Sequence, residues 1–493
     1  MTALLNASPE LIAASDKVIS RVHIDHKKAS RLIDVQDPAT GLVIAQVPDI
    51  GVEGALEAVT VAHRAGRSWA GTTTRHRADV LRRWFDLLID NADDIAMLIT
   101  REMGKPLVEA RAEVTYGSDF VRWYAEEAVR PGGNVRDLPT GGARLLTRRA
   151  PVGLSVLITP WNFPLAMATR KIAPALAAGC AVVVKPAALT PLTTYFAVQL
   201  AVEAGVPADL IQVISTEDPS AFSTAVLQDP RVRKVSFTGS TGVGKVLLKL
   251  AAENVLKSSM ELGGNAPLIV FDDANLQRAV DGTFAAKMRN GGQSCIAANR
   301  IFVQDGVADE FVATLTEKMS RVSTGHGLAP GVGLGPLIDD RAVASMKRLV
   351  QEAIAAGADL RTGGEAIRDG SGHFFEATLL DHVPASVQAA TTEIFGPVAA
   401  VQRFKSEDEV VERANDTAFG LAGYVFTESL DRAFNVADRL ETGLVGINQG
   451  MPSNAAAPFG GLKQSGLGRE GSGEGLEEYQ EIRFYNLATY ATA

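Results

Sequence analysis

Short apolar runs alternate with helical segments from Val152 onward, and this alternation is the feature that most restricts the possible folds. Four of these runs are bounded by turn residues, and they read V-G-L-S-V-L-I, A-V-V-V-K, I-Q-V-I and K-V-S-F. Continuous apolar runs of this length are typical of strands that are buried on both faces of a parallel sheet. The sequence therefore predicts an α/β domain, in which ligands bind at the carboxyl ends of the strands.

Polar and glycine-rich residues follow three of the predicted strands. They read T-P-W-N-F-P after Ile158, K-P-A-A after Val184, and F-T-G-S-T-G-V-G-K after Ser236. Gly239 to Lys245 spells G-x-x-x-x-G-K, but a P-loop needs Ser or Thr next to ligate magnesium, and Val246 has no side-chain oxygen. We therefore reject an NTPase. A glycine-rich turn that holds a phosphate or pyrophosphate through backbone N–H groups remains, with a ligand-free turn as the alternative.

The helix that follows Ala188 has recognisable end signals. Thr190 can cap it, Pro191 suits the first helical position, and Gly205 can end it.

The better placed of the two cysteines lies in the segment K-M-R-N-G-G-Q-S-C-I-A-A-N-R, from Lys287 to Arg300. Gly291 and Gly292 precede Cys295, which predicts an exposed loop that a substrate can approach after a helix. A thiolate in such a loop is a strong nucleophile. Free cysteines are more often inert packing residues, however, so this loop alone leaves both interpretations open.

The segments before residue 150 predict three further regions. Leu32 to Val47 suggests strand pieces, residues 52–128 suggest amphipathic helices, and Val135 to Arg149 suggests a projecting hairpin.

A second α/β unit is predicted from Met260 onward. It begins with a strand, and a helix from about Asn275 leads to the Cys295 loop. A strand at Arg300 to Gln304 follows, and the tail from Tyr479 to Tyr490 alternates enough to be an edge strand.

Composition restricts the environment and the partners of the chain. Two cysteines cannot form a disulfide framework, and they fit a reducing compartment. The net charge of -9 without a block of positive residues argues against a nucleic-acid partner. The N-terminus has neither a basic region nor a sustained apolar run, so we predict no signal peptide and no membrane span. A cytoplasmic protein is expected.

Taken together, the motifs resemble those of the aldehyde dehydrogenase superfamily. They are T-P-W-N-F-P, K-P-A-A, F-T-G-S, E-L-G-G-N-A-P, G-Q-S-C, E-I-F-G-P-V and P-F-G-G-x-K-x-S-G-x-G-R-E, in that order between about residues 30 and 487. Within the superfamily, W-N-F-P-x-A-M-x-T-R-K, E-L-G-G-N-A-P and S-N-x-x-A-P-F-G-G are most similar to succinate-semialdehyde dehydrogenases.

This resemblance implies an α/β subunit with two Rossmann-like parallel-sheet domains and a small β element for bridging and oligomerisation. Residues 1–137 and 153–260 would form the dinucleotide-binding domain, and residues 261–470 the catalytic domain. Residues 138–152 and 471–493 would form the bridging element. Such hairpins pair across subunits in the family, so a homodimer or homotetramer is expected.

The resemblance also implies the catalytic roles. Cys295 would attack the aldehyde carbon, and the Asn162 amide with the Cys295 backbone N–H would hold the resulting oxyanion. Glu261 would activate the water that hydrolyses the thioester. Glu470 matches a residue that some family members use for proton relay, and a structural ion pair is the equal alternative.

NADP or NAD is the implied cofactor, and no metal is expected. Ser240 and its turn would meet the pyrophosphate, Lys185 the adenosine ribose, and Glu393 with Phe395 the nicotinamide end. NAD-preferring relatives commonly carry a glutamate where this chain has Ala188, so NADP should bind at least as well as NAD. The full set of implied cofactor-binding residues is Thr159, Pro160, Trp161, Lys185, Ala188, Gly239, Ser240, Gly244, Leu262, Glu393 and Phe395.

Finally, Arg170, Arg289 and Ser453 match residues that hold the distal carboxylate of the substrate in the resembled subfamily. The resemblance therefore implies an ω-carboxy aldehyde, with succinate semialdehyde first. Glutarate semialdehyde, 2-oxoglutarate semialdehyde and a broader range of aldehydes are the alternatives, because one methylene is worth only about 1 to 3 kcal/mol of discrimination.

Overall fold

A layer of helices precedes the sheets of the protein. The computed structural model describes residues 4–26, 29, 31–130, 132–367 and 372–489. Residues 1–3 of the predicted first domain, and residues 490–493 of the predicted tail and bridging element, lie outside the described residues. The strand pieces predicted between Leu32 and Val47 are confirmed, and they form an antiparallel pair. The amphipathic helices predicted over residues 52–128 are also confirmed, and there are four of them. The elements up to residue 151 are α1 (Pro9–Ile19), β1 (Arg31–Gln36), β2 (Val43–Asp49), α2 (Gly51–Ala70), α3 (Thr74–Asp90), α4 (Ala92–Met103), α5 (Leu107–Glu127), β3 (Val135–Asp137) and β4 (Ala143–Pro151).

The four apolar runs form neighbouring parallel strands, as predicted. The elements are β5 (Leu154–Ile158), α6 (Pro164–Ala178), β6 (Val182–Lys185), α7 (Leu192–Glu203), β7 (Ile211–Val213), α8 (Pro219–Leu227), β8 (Val232–Thr238), α9 (Thr241–Glu253) and β9 (Lys257–Glu261). Their spatial order is β9-β8-β5-β6-β7. Successive strands are therefore added on one side of β5 up to β7, and then on its other side from β8. A crevice for ligands is expected at the carboxyl ends of β5 and β8, where this change of side occurs.

A second sheet follows, again as predicted. Its elements and the remaining short ones are β10 (Pro267–Val270), α10 (Leu276–Met288), β11 (Arg300–Gln304), α11 (Asp305–Ser320), α12 (Asp340–Ala355), β12 (Asp359–Thr362), β13 (Ala366–Ile367), β14 (Phe374–Phe375), β15 (Thr378–Asp381), α13 (Gln388–Thr391), β16 (Val398–Phe404), α14 (Glu407–Asn415), β17 (Phe419–Gly420), β18 (Ala422–Phe426), α15 (Leu430–Arg439), β19 (Leu444–Ile447), β20 (Leu462–Lys463), β21 (Gly466–Leu467), α16 (Ser472–Glu477) and β22 (Gln480–Ala488). The strand order is β12-β15-β16-β11-β10-β18-β19, and only β12 at the edge runs antiparallel to its neighbour among the described strands. Strand β21 leaves this region and pairs with β9, so it becomes the sixth strand of the first sheet.

The two sheets are joined through one short turn. Strand β9 ends at Glu261 and β10 begins at Pro267, so only residues 262–266 separate the sheets along the chain. The carboxyl edge of the first sheet therefore faces the amino edge of the second. The loops before β11 and β16 consequently reach the same cleft as the loops after β5 and β8.

The predicted hairpin and the predicted edge strand are confirmed as one antiparallel sheet with the order β22-β4-β3. Strand β22 leaves Ile482, Phe484, Tyr485 and Leu487 exposed. None of the helices in the described part of the chain is long and apolar enough to cross a membrane.

The predicted cap of α7 is wrong. The Thr190 hydroxyl donates to the Trp161 carbonyl at 3.3 Å, and α7 begins only at Leu192. The carboxylate of Glu102, on α4, accepts from the backbone N–H groups of Leu192 at 2.7 Å and Thr193 at 2.9 Å. Burial of Glu102 raises its pKa to about 8. The helix is therefore capped by a residue distant in sequence, which no local signal could show, whereas Gly205 follows its end with φ +106° as predicted.

Candidate active site

A cavity of about 930 Å³, including its open mouth, lies at the junction of the two sheets. Most of the catalytic, cofactor-binding and substrate-binding residues predicted from the sequence line this cavity. Those lining it are Pro160, Trp161, Asn162, Arg170, Gly239, Ser240, Glu261, Leu262, Arg289, Cys295, Glu393, Phe395 and Ser453. Thr159, Lys185, Ala188 and Gly244 do not line it, and they lie along or behind the carboxyl edge of the first sheet.

The loop that carries Cys295 is held in an unusual backbone conformation. Asn290 and Gly291 have φ of +56° and +60°, and a Cβ atom on Gly292 would collide with the Gly396 carbonyl. The Gln293 side chain fixes the loop, since it accepts from the Ile338 N–H at 3.0 Å and donates to the Asn290 carbonyl at 3.2 Å. The glycines and Asn290 thus allow a tight turn that presents the half-buried Cys295 to the cavity.

The Cys295 thiol is held in its protonated form in this arrangement. Burial raises its pKa to about 12, the carboxyl groups of Glu393 and Glu261 raise it as well, and Arg170 opposes them. Cys180, the other cysteine, is buried in the core around the first sheet.

Glu261 and Glu470 are neighbouring buried carboxyl groups with opposite pKa shifts. Burial and then the charge of Glu470 raise the pKa of Glu261 well above its usual value, and neither of its carboxyl oxygens has a hydrogen-bond partner among the described residues. Burial also raises the pKa of Glu470, but Lys171 and Arg170 outweigh it and lower that pKa below its usual value. Glu261 is therefore the carboxyl group of the pair that binds a proton more readily. Glu470 forms ion pairs with Arg170 and Lys171, which was one of its two expected roles. Its other expected role, as a proton relay, stays a prediction.

Asn162 lies in the irregular loop between β5 and α6. Its Nδ2 donates to the Gln293 carbonyl at 3.0 Å, which leaves its second amide N–H for a ligand. Its backbone carbonyl accepts from Asn290 Nδ2 at 2.9 Å. The side-chain amide of Asn162 is thereby tied directly to the Cys295 loop.

Two arginines at the far end of the cavity differ in their surroundings. The Arg289 guanidinium lies over the rings of Phe163 and Tyr116, 4.9 and 5.4 Å from their centroids. The buried carboxyl group of Glu109 interacts with its charge, but no described carboxylate forms an ion pair with it. Arg170 is 1% exposed, and its Nε is 2.5 Å from Glu470 Oε2. Arg289 is therefore the arginine that has no ion-pair partner among the described residues, whereas Arg170 is paired with Glu470.

Ser453 completes this end of the cavity. Its hydroxyl lies 2.5 Å from the Tyr116 hydroxyl. Tyr116 and Phe163 line the cavity as well, and neither was predicted from the sequence to do so. Tyr116 follows Glu113 by one helical turn on α5, but a tyrosine on an amphipathic helix carries no signal of its own.

The carboxyl edge of the first sheet offers groups that suit a dinucleotide. Ser240 precedes α9, and its side chain makes no cap hydrogen bond, so the N–H groups of the first turn remain available for a phosphate. The hydroxyls of Thr159 and Thr238 are buried without partners among the described residues. Burial lowers the pKa of Lys185 to about 8. Gly244 allows α9 to pack against the Leu262 side chain, where a Cβ atom would collide.

Glu393 and Phe395 lie at the inner end of this edge. Glu393 Oε1 accepts from the Gly264 N–H at 3.3 Å, and burial raises the pKa of Glu393 to about 7. The Phe395 ring meets Trp161 edge to face, with centroids 5.4 Å apart. Lys287, which the sequence did not indicate as part of this region, interacts electrostatically with Glu393. Its buried Nζ has no hydrogen-bond partner among the described residues, and burial lowers its pKa to about 7.

Asn299 and Arg300 also escaped the sequence analysis as members of the site. Asn299 Nδ2 donates to Asn265 Oδ1 and to the Thr392 carbonyl, both at 2.6 Å, and its Oδ1 accepts from the Ile394 N–H at 2.9 Å. Arg300 donates to the Asn265 carbonyl through Nε and Nη2 at 3.1 and 2.9 Å. These two side chains link the Cys295 loop, the turn after Glu261 and the Glu393 loop.

Comparison with known proteins gives the same picture over nearly the whole chain, which matches the aldehyde dehydrogenase family over residues 23–485. It is 50% identical to a succinate-semialdehyde dehydrogenase from Paenarthrobacter nicotinovorans, over 90% of this chain and 99% of the relative. Identity is 48% to a 3-sulfolactaldehyde dehydrogenase from Pseudomonas putida, over 92% of this chain and 93% of the relative. It is 47% to a Pseudomonas putida glutarate-semialdehyde dehydrogenase, with the same shares of 92% and 93%.

Solved structures share the fold. An Escherichia coli structure described as an NADP-dependent enzyme superimposes with a TM-score of 0.92 and 46% identity, over 93% of this chain and 95% of the other. A betaine aldehyde dehydrogenase from Staphylococcus aureus, in complex with NAD+, superimposes with a TM-score of 0.94 and 34% identity, over 98% of both chains.

The raised pKa of Cys295 predicts how the ligand-free protein reacts with iodoacetamide. Because only the thiolate reacts, the alkylation rate of Cys295 should rise about tenfold per pH unit from pH 7 to 10 without a plateau. Glu393→Gln removes a carboxylate that raises this pKa, so it should speed alkylation at a fixed pH above neutrality. Mass spectrometry of labelled peptides measures both rates.

A Cys295→Ser variant is the control for this labelling. Cys180 is 1% exposed, so the reagent cannot reach it and the folded control should remain unlabelled. A plateau of the Cys295 rate below pH 9 would contradict the arrangement described for the thiol.

Proposed function

Because the chain belongs to the aldehyde dehydrogenase family, we propose that it oxidises an ω-carboxy aldehyde, succinate semialdehyde first, with NADP or NAD. The observation that carries the substrate class is Arg289, a cation that faces the cavity and forms no ion pair with a described residue, although the buried Glu109 carboxyl is close enough to interact with its charge. A guanidinium binds a carboxylate through two parallel charge-assisted hydrogen bonds. An aldehyde with an anion at its far end would therefore provide the carboxylate for such a pair.

The relatives support an anionic substrate. Their names refer to succinate semialdehyde, glutarate semialdehyde and 3-sulfolactaldehyde, and each of these carries a carboxylate or a sulfonate away from the aldehyde. Glutarate semialdehyde is the second candidate for this chain, and 2-oxoglutarate semialdehyde or a broader set of aldehydes follows.

The chemistry begins at Cys295. The thiol gives its proton to water, the thiolate sulfur bonds to the aldehyde carbon, and the carbonyl oxygen becomes an oxyanion held by the Asn162 amide and the Cys295 backbone N–H. The bound cofactor supplies the acceptor for the hydride that leaves this carbon, and a thioester on Cys295 remains. Glu261 then takes a proton from water, the oxygen attacks the thioester carbon, and the acid leaves as the Cys295 sulfur is released.

The cofactor would lie along the carboxyl edge of the first sheet. Ser240 and the first turn of α9 would hold the pyrophosphate, Lys185 the adenosine ribose, and Glu393 with Phe395 the nicotinamide. The unpartnered hydroxyls of Thr159 and Thr238 support this placement. The remaining proposed contacts are Pro160, Trp161, Ala188, Gly239, Gly244 and Leu262.

The regions of the chain would divide these tasks. Residues 1–137 and 153–260 would bind the dinucleotide, residues 261–470 would provide the catalytic groups, and residues 138–152 with 471–493 would bridge subunits. The exposed apolar side chains of β22 support a homodimer or homotetramer. Two unpaired cysteines fit a reducing cytoplasm.

Two substitutions separate the proposed half-reactions. Cys295→Ala should abolish oxidation, whereas Glu261→Gln should allow one burst of reduced cofactor and then stop, because hydrolysis of the thioester lacks its base. Stopped-flow absorbance of the reduced nicotinamide distinguishes the two. Normal steady-state turnover in either variant would refute the assignment.

Arg289→Ala tests the substrate class. Removing one partner of a desolvated charge pair costs about 2 to 5 kcal/mol, so kcat/KM for succinate semialdehyde should fall by tens to thousands of fold. Oxidation of butanal should change little. Arg170→Ala should lower both rates, since Arg170 balances the charge of Glu470 beside Glu261.

The matched control for this test is Arg278→Ala, which removes an exposed arginine paired with Glu428. It should leave both substrates unaffected. Equal losses for succinate semialdehyde and butanal in Arg289→Ala would leave the substrate as an aldehyde of unknown class.

The side chain at position 188 tests the cofactor preference. Ala188 offers no charge to repel a 2′-phosphate, so kcat/KM for NADP should at least equal that for NAD. Ala188→Glu should weaken NADP more than NAD, and Ala188→Gln, of the same size without charge, should not. A tenfold preference of the unmodified enzyme for NAD would overturn this interpretation.

A further inference from the structure

A buried ion pair behind the cavity takes no part in the proposed chemistry. Lys105 lies between α4 and α5, and Glu113 lies on α5. They are 2% and 1% exposed, and Lys105 Nζ is 2.5 Å from Glu113 Oε2. Removing two charges from water is costly, and apolar residues of similar size often stabilise a fold as well as a buried pair does. Stability alone is therefore a weak reason for this pair.

The second carboxylate oxygen of Glu113 caps α6. Glu113 Oε1 accepts from the Leu165 N–H at 2.9 Å and the Ala166 N–H at 3.3 Å. These N–H groups belong to the first turn of α6, where Phe163 is the N-cap residue and makes no side-chain cap bond. Glu113 therefore fixes the start of the helix that immediately follows the Asn162 loop.

Lys105 fixes the loop itself. Its Nζ donates to the Asn162 carbonyl at 2.8 Å and lies 3.9 Å from the centroid of the Phe163 ring. The loop has no regular secondary structure between the end of β5 and the start of α6, so these contacts orient its backbone. Lys105 thus holds the peptide group of the residue whose side-chain amide faces the reacting carbon in the proposed mechanism.

We propose that Lys105 and Glu113 are positioning residues, which fix the backbone of Asn162 and so aim its side-chain amide at the developing oxyanion. The inference rests on the proposed function, because it needs Asn162 to stabilise that oxyanion. Hydrogen-bond donors to an oxyanion act strongly only when they are held in place before the reaction. Lys105 and Asn290 donate to the same Asn162 carbonyl, so loss of Lys105 should loosen the loop without freeing it entirely.

The test is a double-mutant cycle between Lys105→Met and Asn162→Ala, read as the single-turnover rate of Cys295 acylation by succinate semialdehyde with NADP. Asn162→Ala should lower this rate by roughly 10²- to 10³-fold, and Lys105→Met by roughly 10- to 100-fold. The double variant should be no slower than Asn162→Ala, because Lys105 acts only through Asn162.

Two further readouts separate positioning from a general structural role. The rate of iodoacetamide alkylation of Cys295, which forms no oxyanion, should change less than about twofold in Lys105→Met. Lys347→Met, an exposed lysine on α12, is the matched control and should leave every rate unchanged. If Lys105→Met does not fold, the neutral pair Lys105→Met with Glu113→Gln replaces it, since the introduced amide oxygen can still accept from the α6 N–H groups.

The possible results are distinct. Normal acylation in Lys105→Met, additive losses in the double variant, or an equal loss of alkylation would overturn the inference while leaving the proposed function intact. Normal acylation in Asn162→Ala would overturn the oxyanion role of Asn162 and the inference with it. Absence of aldehyde oxidation by the unmodified enzyme would instead refute the proposed function.

Discussion

The turn that joins the two sheets is the constraint on which the site depends. Glu261 ends one sheet, and the next begins at Pro267, so any displacement between the sheets must bend residues 262–266. Asn299 and Arg300 prevent this, because their buried side chains satisfy the carbonyl and amide groups of Asn265 and of the neighbouring loop. Cys295, Glu261 and Glu393 come from three separate segments, and this small hydrogen-bonded centre fixes them relative to one another.

Around that centre, buried charges divide into balanced and unbalanced groups. Lys105 with Glu113, and Lys171 with Glu470, are paired, and both lie behind the cavity wall. Glu261 has no hydrogen-bond partner among the described residues, and burial raises the pKa of its carboxyl group. Paired ions hold a fixed geometry, whereas an unpartnered carboxyl group can gain or lose a proton with little rearrangement. The distribution therefore separates groups that can shape the site from groups that can react in it.

Much of this architecture was predictable because local patterns determine it. The apolar runs from Leu154 to Thr238 predicted buried strands, and parallel strands bring Asn162, Lys185 and Ser240 to one edge. The resemblance then located Cys295, Glu261 and Arg289, which the cavity brings together. The relation of Arg170 to Glu470, the capping of α7 by Glu102 and the contact of Lys105 with Asn162 were not predictable. Each joins residues that are distant in sequence, and none alters the local periodicity on which such predictions depend.

The pairing of β21 with β9 has a consequence for the synthesis of the chain. Gly466 pairs with Glu261, and the Leu262 N–H donates to the Ser465 carbonyl at 2.8 Å. The other five strands of the first sheet, β5 to β9, are synthesised by residue 261. Its sixth strand, β21, is synthesised about two hundred residues later. Contacts of such sequence separation form slowly, and the domain leaves the ribosome with an open edge beside Glu261. Completion of the first sheet therefore follows the synthesis of the strands of the second sheet.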